Sequence, residues 1–116
     1  MANDNRFAFQ RLDCYRVARE FARGVHEAKI RDAELRDQAT RAAKSAFLGL
    51  CEGLPNEQPG LRRRYFTQAN NSLHEAVGAI DLAAAIGALE EDDVGEVLQA
   101  LALRLKHMLR RLLMVG

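Results

Sequence analysis

The sequence predicts an all-α protein, an up-down-up-down antiparallel four-helix bundle, and three observations carry that expectation. Apolar residues recur at three- and four-residue steps along nearly the whole chain, with no two-residue alternation of the kind a strand would need. Glycine and proline gather at the ends of the periodic stretches, and Pro55 and Pro59, the only prolines, divide the chain into two long hairpins. The stretches of about 20 to 28 residues are joined by short connections, which makes consecutive helices antiparallel neighbours. The 116 residues, 48% hydrophobic and 28% charged, suit one soluble domain, read as a flexible tail over residues 1–8 and a bundle over 9–116.

Phe7 and Phe9 lead into a first helix expected from about Gln10 to Ile30. Leu12, Tyr15, Ala18, Ala22 and Val25 form its apolar stripe, widened by Cys14, Val17, Phe21 and Ala28. Asp13, Arg16, Glu20, Arg23 and Glu27 alternate in sign on the opposite side, as a solvated face does. Asp32 and Glu34 open the second helix, about Asp32 to Gly53, where acids suit the positive end of the helix dipole. Its stripe is Leu35, Ala39, Ala42, Ala43, Ala46 and Leu50. At about 100° per residue Ser45 and Glu52 project from nearly one line beside that stripe. Gly53 is expected to stop this helix in a left-handed conformation, with Pro55 and Pro59 preventing immediate restart.

The third helix is expected from about Gly60 to Gly87, with Leu61, Tyr65, Ala69, Leu73, Ala76, Ile80 and Ala83 facing the core, joined by Phe66, Val77 and Ala84. Gln68, Asn71, Ser72 and Glu75 form a polar row along one border. The fourth begins among the acids of Glu90 to Glu96 and runs through Val94, Leu98, Leu101, Leu105, Met108, Leu109 and Leu112 to Arg110 and Arg111. Leu103 and Met114 fall on its polar side, which points to an assembly larger than a monomer.

The formal net charge is only +1, but the topology separates the charges. Arg62, Arg63, Arg64, Arg104, Lys106, Arg110 and Arg111, with Arg6 and Arg11, gather at one end; Asp32, Glu34, Asp37 and the acids from Glu90 to Glu96 gather at the other. Arg62, Arg63 and Arg64 stand at a helix N-terminus, where the dipole disfavours positive charge, so the triplet weighs toward an anionic partner. The seven cations from Arg62 to Arg111 are the candidate nucleic-acid contacts.

Motifs for catalysis, metals and cofactors are missing. No acid lies three residues before His26, His74 or His107, as a carboxylate-bridged metal bundle requires. The chain has no glycine-rich phosphate loop and only two serines, Ser45 and Ser72, and Ser72, His74 and Glu75 diverge too far on a helix to act as one group. An enzyme, a metal site and a cofactor are therefore not expected. Cys14 and Cys51, without metal-type spacing, read as buried thiols of a reducing compartment. Met1 to Asn5 is polar, and the most apolar run, Ala76 to Leu89, is fourteen residues long and holds Asp81, so neither a signal segment nor a membrane span is expected. A cytoplasmic location follows from these readings.

The line Ser45-Ala-Phe-Leu-Gly-Leu-Cys-Glu-Gly, with Arg64-Tyr-Phe-Thr-Gln-Ala-Asn-Asn-Ser-Leu-His-Glu after it, resembles the four-helix-bundle proteins encoded in intervening sequences of bacterial 23S ribosomal RNA genes. The opening Phe9-Gln-Arg-Leu-Asp-Cys-Tyr-Arg-Val-Ala is similar as well. Ser45, Glu52, Gly53, Ser72 and Glu75 match the family's polar pattern; Gly49 stands where the family usually has Asn, and Asn71 where it usually has Gly. The resemblance implies a homo-oligomer, typically a pentameric ring, and kinship with the accessory variability proteins of diversity-generating retroelements, whose basic surfaces engage nucleic acid and a reverse transcriptase. The expected function is thus a non-enzymatic oligomeric accessory that binds structured RNA through the basic end. The alternative is a structural or protein-interaction scaffold. Glu52 is expected to be a structural carboxylate, hydrogen-bonded across the bundle or a subunit interface.

Overall fold

The computed structural model of the chain describes residues 6–114. After a short 3-10 turn at Ala8–Arg11 come four helices, α1 (Asp13–Glu27), α2 (Ala33–Gly53), α3 (Pro59–Ala85) and α4 (Asp92–Met114). Each packs on the next, most extensively α2 on α3, and α1 closes the circuit against α4. The described residues form no strand; a lone bridge between Ile30 and Leu89 ties the α1–α2 connection to the α3–α4 connection. No helix among them is long and apolar enough to cross a membrane. Of the expected tail, residues 1–5 lie outside the described residues.

The core follows the apolar stripes. Phe21, Val25, Leu50, Phe66, Leu73, Leu105 and Leu109 are fully buried, and no polar or charged residue among those described is. Two stripe residues face outward instead: Leu12 and Ala84 are exposed.

Leu12 is exposed because the first helix starts later than its periodicity suggests. Leu12 takes an extended conformation between the 3-10 turn and α1, while the Phe7 amide donates to Gln10 Oε1 at 2.8 Å. An aromatic chain then folds this segment over the α1–α2 pair: Phe7 stands edge-on to Phe9 at 6.0 Å, Phe9 to Tyr15 at 5.7 Å, and Tyr15 tilts against Phe47 at 5.4 Å. Edge-to-face rings at such spacings add to their area burial, and that gain competes with continuing one helix from Gln10. At its other end α1 stops at Glu27, because Ala28 turns extended and delivers buried Ile30 to the bridge with Leu89.

The remaining ends obey local chemistry. Asp32 caps α2, its carboxylate accepting from the Leu35 amide at 2.9 Å. Gly87, with φ of 72°, closes α3: its amide donates to the Ala84 carbonyl at 3.1 Å and that of Ala88 to the Ala83 carbonyl at 2.8 Å. This is the paired C-terminal closure that a left-handed glycine permits. Gly53 behaves differently from expectation. It is the last residue of α2, lies buried, and is not left-handed; Gly87 is the one described residue with positive φ.

Candidate nucleic-acid interface

The polar motif lies on the seam between α2 and α3, and the seam explains Gly53. Ala39, Ala42, Ala43 and Ala46 of α2 are buried there, as are Ala69, Ala76 and Ala79 of α3. Small side chains let two helices approach closely. A Cβ on Gly49 would stand 3.3 Å from Ala69 Cβ and 3.4 Å from the Tyr65 carbonyl oxygen; one on Gly53 would fall 2.7 Å from the Phe66 ring. Gly53 is thus required by the ring against it, not by a turn. Along the rim Ser45 Oγ and Ser72 Oγ share a hydrogen bond of 2.9 Å, and Gln38 Nε2 donates to Glu75 Oε2 at 2.7 Å. Four of the five motif residues therefore meet partners on this seam. Glu52 does not: it is exposed and has no hydrogen bond or ion pair with a described residue, so its expected partner across the bundle is absent.

The basic end corrects the reading of the arginine triplet. Arg62 opens α3, yet its Nη1 donates to the carbonyls of Gly53 at 3.2 Å and Leu54 at 2.6 Å, and its guanidinium lies 4.9 Å over the Phe66 ring. Arg63 Nη1 donates to the Leu113 carbonyl at 2.6 Å. Both charges thus sit at the C-terminal ends of α2 and α4, where exposed carbonyls and the negative dipole end favour a cation. The lack of local support inferred from α3 alone is overturned by its antiparallel neighbours. The acidic end uses the same device, Arg31 Nη2 donating to the Gly87 carbonyl at 2.8 Å and reaching that of Leu89 at 3.4 Å. Sequence reasoning missed these caps. Their signal is an arginine within a few residues of a helix start, in a hairpin whose neighbour ends at that level.

The other candidate cations do not join one cluster. Arg64 is exposed on the outside of α3. On α4, Lys106 and Arg110 lie toward α3, and Lys106 lines a hollow there with His74 and Leu103. Arg104 and Arg111 lie roughly 100 to 160° away around the helix, on the line of Asp93 and Val97, which face α1. Between Arg62 and Arg63 a cleft of about 190 Å³ is backed by Phe66, Leu112 and Leu113 and edged by Glu57. The end therefore offers two anchored guanidinium groups beside this cleft, with Arg64 outside them and two separate cationic lines along α4.

Ion pairs among the described residues run along α1, where Arg16 meets Asp13 at 2.6 Å and Arg23 meets Glu27 at 3.4 Å and Glu20 at 3.7 Å. None involves the seven candidates. Cys14 and Cys51 are half-buried free thiols, less enclosed than expected. Burial pushes both upward in pKa, and the Glu52 carboxylate adds to the rise at Cys51. The described residues hold no group of three metal-ligating side chains.

Residues 10–111, a span that includes α1, α2 and α3 entire and most of α4, match the family described as 23S rRNA-intervening sequence protein, and the chain belongs to that family. No curated protein matches it.

Proposed function

We propose that this member of the 23S rRNA-intervening sequence protein family is a non-enzymatic, oligomeric accessory that binds nucleic acid, structured RNA above all, through its basic end. One observation carries the proposal: Arg62 and Arg63 are fixed by neutral carbonyls, not by carboxylates, so their charge is held in place without being cancelled. A guanidinium anchored by one nitrogen keeps further N–H groups for a phosphate, and Arg64 stands exposed beside them. Phe7 is the one exposed aromatic among the described residues, so contact is by charge and shape more than by base stacking. The pentameric ring implied by the family resemblance belongs to this proposal, since repeated subunits multiply a modest basic end. A reverse transcriptase is the protein partner it takes from the likeness to accessory variability proteins.

The test begins with the arginines that cap no helix end. Arg64→Gln, Arg110→Gln and Arg111→Gln, singly and combined, are titrated with a structured RNA across salt concentrations, and Arg63→Gln is then added, with circular dichroism melting as the check on folding. Each lost phosphate contact lowers the slope of log affinity against log salt by about 0.7 to 0.9. A slope identical to that of the parent in the triple variant removes those three from the interface, and an identical slope once Arg63→Gln is added to a folded variant overturns the proposal. The scaffold reading is favoured by the same caps, because holding helix ends accounts for Arg62 and Arg63 without any ligand; it expects unchanged RNA affinity and an altered oligomer mass.

A further inference from the structure

The cleft between Arg62 and Arg63 carries one side chain of the opposite sign. Glu57 lines its edge, and although two guanidinium groups line the same cleft, the Glu57 carboxylate makes no hydrogen bond or ion pair with a described residue. Its place is set by the backbone. Glu57 lies midway between Pro55 and Pro59 in the short connection from α2 to α3. The connection is tied on both sides of it: the Asn56 amide donates to the Gly53 carbonyl at 3.1 Å, and the Gln58 amide to Asn56 Oδ1 at 3.0 Å. Prolines fix φ, and an asparagine that accepts from the amide two residues on fixes the residue between. An acid is thus kept at the cleft, while the anchors of Arg62 and Arg63 are carbonyls.

A carboxylate beside a phosphate site lowers affinity by like-charge repulsion unless the ligand brings it a hydrogen-bond donor. A strand held by its phosphates has a donor on the adjoining sugar only where that sugar is ribose, whose 2′-hydroxyl both donates and accepts. The amino groups of the bases are the other donors. To use one, a base would have to turn into the cleft, whose one aromatic wall is already taken: Phe66 is buried beneath the Arg62 guanidinium. We infer, on the basis of the nucleic-acid reading above and as a deepening of it, that the cleft takes a ribonucleotide, its phosphate against the N–H groups left over on Arg62 and Arg63 and its 2′-hydroxyl donating to the Glu57 carboxylate. Glu57 is then the residue that selects RNA over DNA. The two arginines attract either nucleic acid. The acid repels both, and only the strand with a hydroxyl offsets that repulsion, so the selection is made against DNA as much as for RNA.

One RNA hairpin and the same hairpin with 2′-fluoro sugars throughout test it. Fluorine at that position keeps the A-form helix and removes the donor, so shape and charge stay constant. Both hairpins are titrated against the parent, Glu57→Ala and Glu57→Gln by fluorescence anisotropy at one salt concentration, with circular dichroism melting as the check on folding; Glu57 is exposed. The parent is expected to bind the hydroxyl hairpin about tenfold more tightly, the size of one hydrogen bond to a charged group. Glu57→Ala is expected to bring the two affinities within about twofold of each other, with the fluoro hairpin bound more tightly than by the parent as the repulsion is lifted. Glu57→Gln, whose amide oxygen still accepts, is expected to keep a preference of about threefold. A role confined to folding or to overall charge moves both hairpins by one factor and leaves their ratio alone. Equal affinities in the parent, or a preference that survives undiminished in Glu57→Ala, would overturn the role of Glu57 while the nucleic-acid reading stands. Failure of the parent to bind either hairpin would overturn both.

Discussion

The two seams that border α3 are built from different side chains and do different work. Toward α2, alanine and glycine bring the backbones so close that Ala69 and the Phe66 ring fill the space a Cβ would take at Gly49 and Gly53. Toward α4, the leucines at 98, 105 and 109 are buried, and side chains of that length hold helix axes farther apart. The first seam is sealed by hydrogen bonds along its rim; the second is a groove with an exposed leucine in it. Ser45, Gly53, Ser72 and Glu75 of the family pattern all lie on the sealed side. All four take part in close packing or in hydrogen bonds across that seam.

Removing the ring at the sealed seam is the strongest way to break this contrast. Phe66→Ala deletes a fully buried side chain that touches the Gly53 position and carries the Arg62 guanidinium; the expected cost is about 3 to 5 kcal/mol. Leu103→Ala on the open seam is expected to change the monomer's stability by no more than about 0.5 kcal/mol. Urea denaturation of both variants, at a concentration below association, measures the difference. Equal costs would mean that the groove is closed in solution.

Gly53→Ala comes next. Its Cβ would stand 2.7 and 2.8 Å from two atoms of the Phe66 ring and 3.2 Å from Tyr65 Cβ. A buried ring cannot step aside cheaply, so a loss of about 1 to 3 kcal/mol is expected despite the better helix propensity of alanine. Gly24→Ala is the control. There the new Cβ would meet Leu98 Cδ2 at 2.6 Å, the far end of a flexible side chain, and the cost should stay under about 1 kcal/mol. A larger loss at Gly24 than at Gly53 would reverse the assignment of the tight seam.

How far the sequence reaches is visible in these same residues. The stripes Ala39, Ala42, Ala43, Ala46 and Leu50, and Phe66, Ala69, Leu73 and Ala76, are buried as periodicity requires, since spacing decides which side chains share the face turned to the core. The order of the helices follows from short connections. What spacing cannot express is the distance between helices: Gly53 reads as a stop because a glycine shortly before a proline commonly is one, and the ring of Phe66 against it shows the other reason for a glycine there. Arg62 and Arg63 fail for a related reason. Judged against their own helix they are unfavourable, and their support comes from the ends of α2 and α4, which no local pattern records. The departure at Leu12 arises where aromatic contacts between Phe9, Tyr15 and Phe47 outweigh the continuity of a helix.

The caps give a smaller test that sharpens the comparison at the basic end. Arg62→Gln removes two hydrogen bonds to the α2 terminus and the stacking on Phe66. Because the group is half-exposed, water replaces part of what is lost, and the expected cost is about 1 to 2 kcal/mol. Arg64→Gln, with no such contacts, should change the melting temperature little. RNA affinity adds the second readout: an Arg64→Gln variant with a lowered salt slope and unchanged stability has lost a phosphate contact and no structural one.

Glu52 carries the smallest expected effect and the most information about assembly. It belongs by sequence to the sealed seam, sits one residue from Gly53, and yet is exposed without a partner among the described residues. In the separated chain Glu52→Ala should therefore change stability by no more than about 0.5 kcal/mol, as other isolated surface carboxylates do. Where the chains associate, as proposed, the expectation depends on what covers that side of α2. A carboxylate that receives a guanidinium from another subunit loses more when removed, since the partner charge is then left uncompensated. Melting curves for parent and variant, taken above and below the concentration at which the chains associate, separate the two cases. A loss that appears only above that concentration places Glu52 at a subunit contact; identical curves at both concentrations leave it in solvent, with the family pattern preserved there for a reason other than stability.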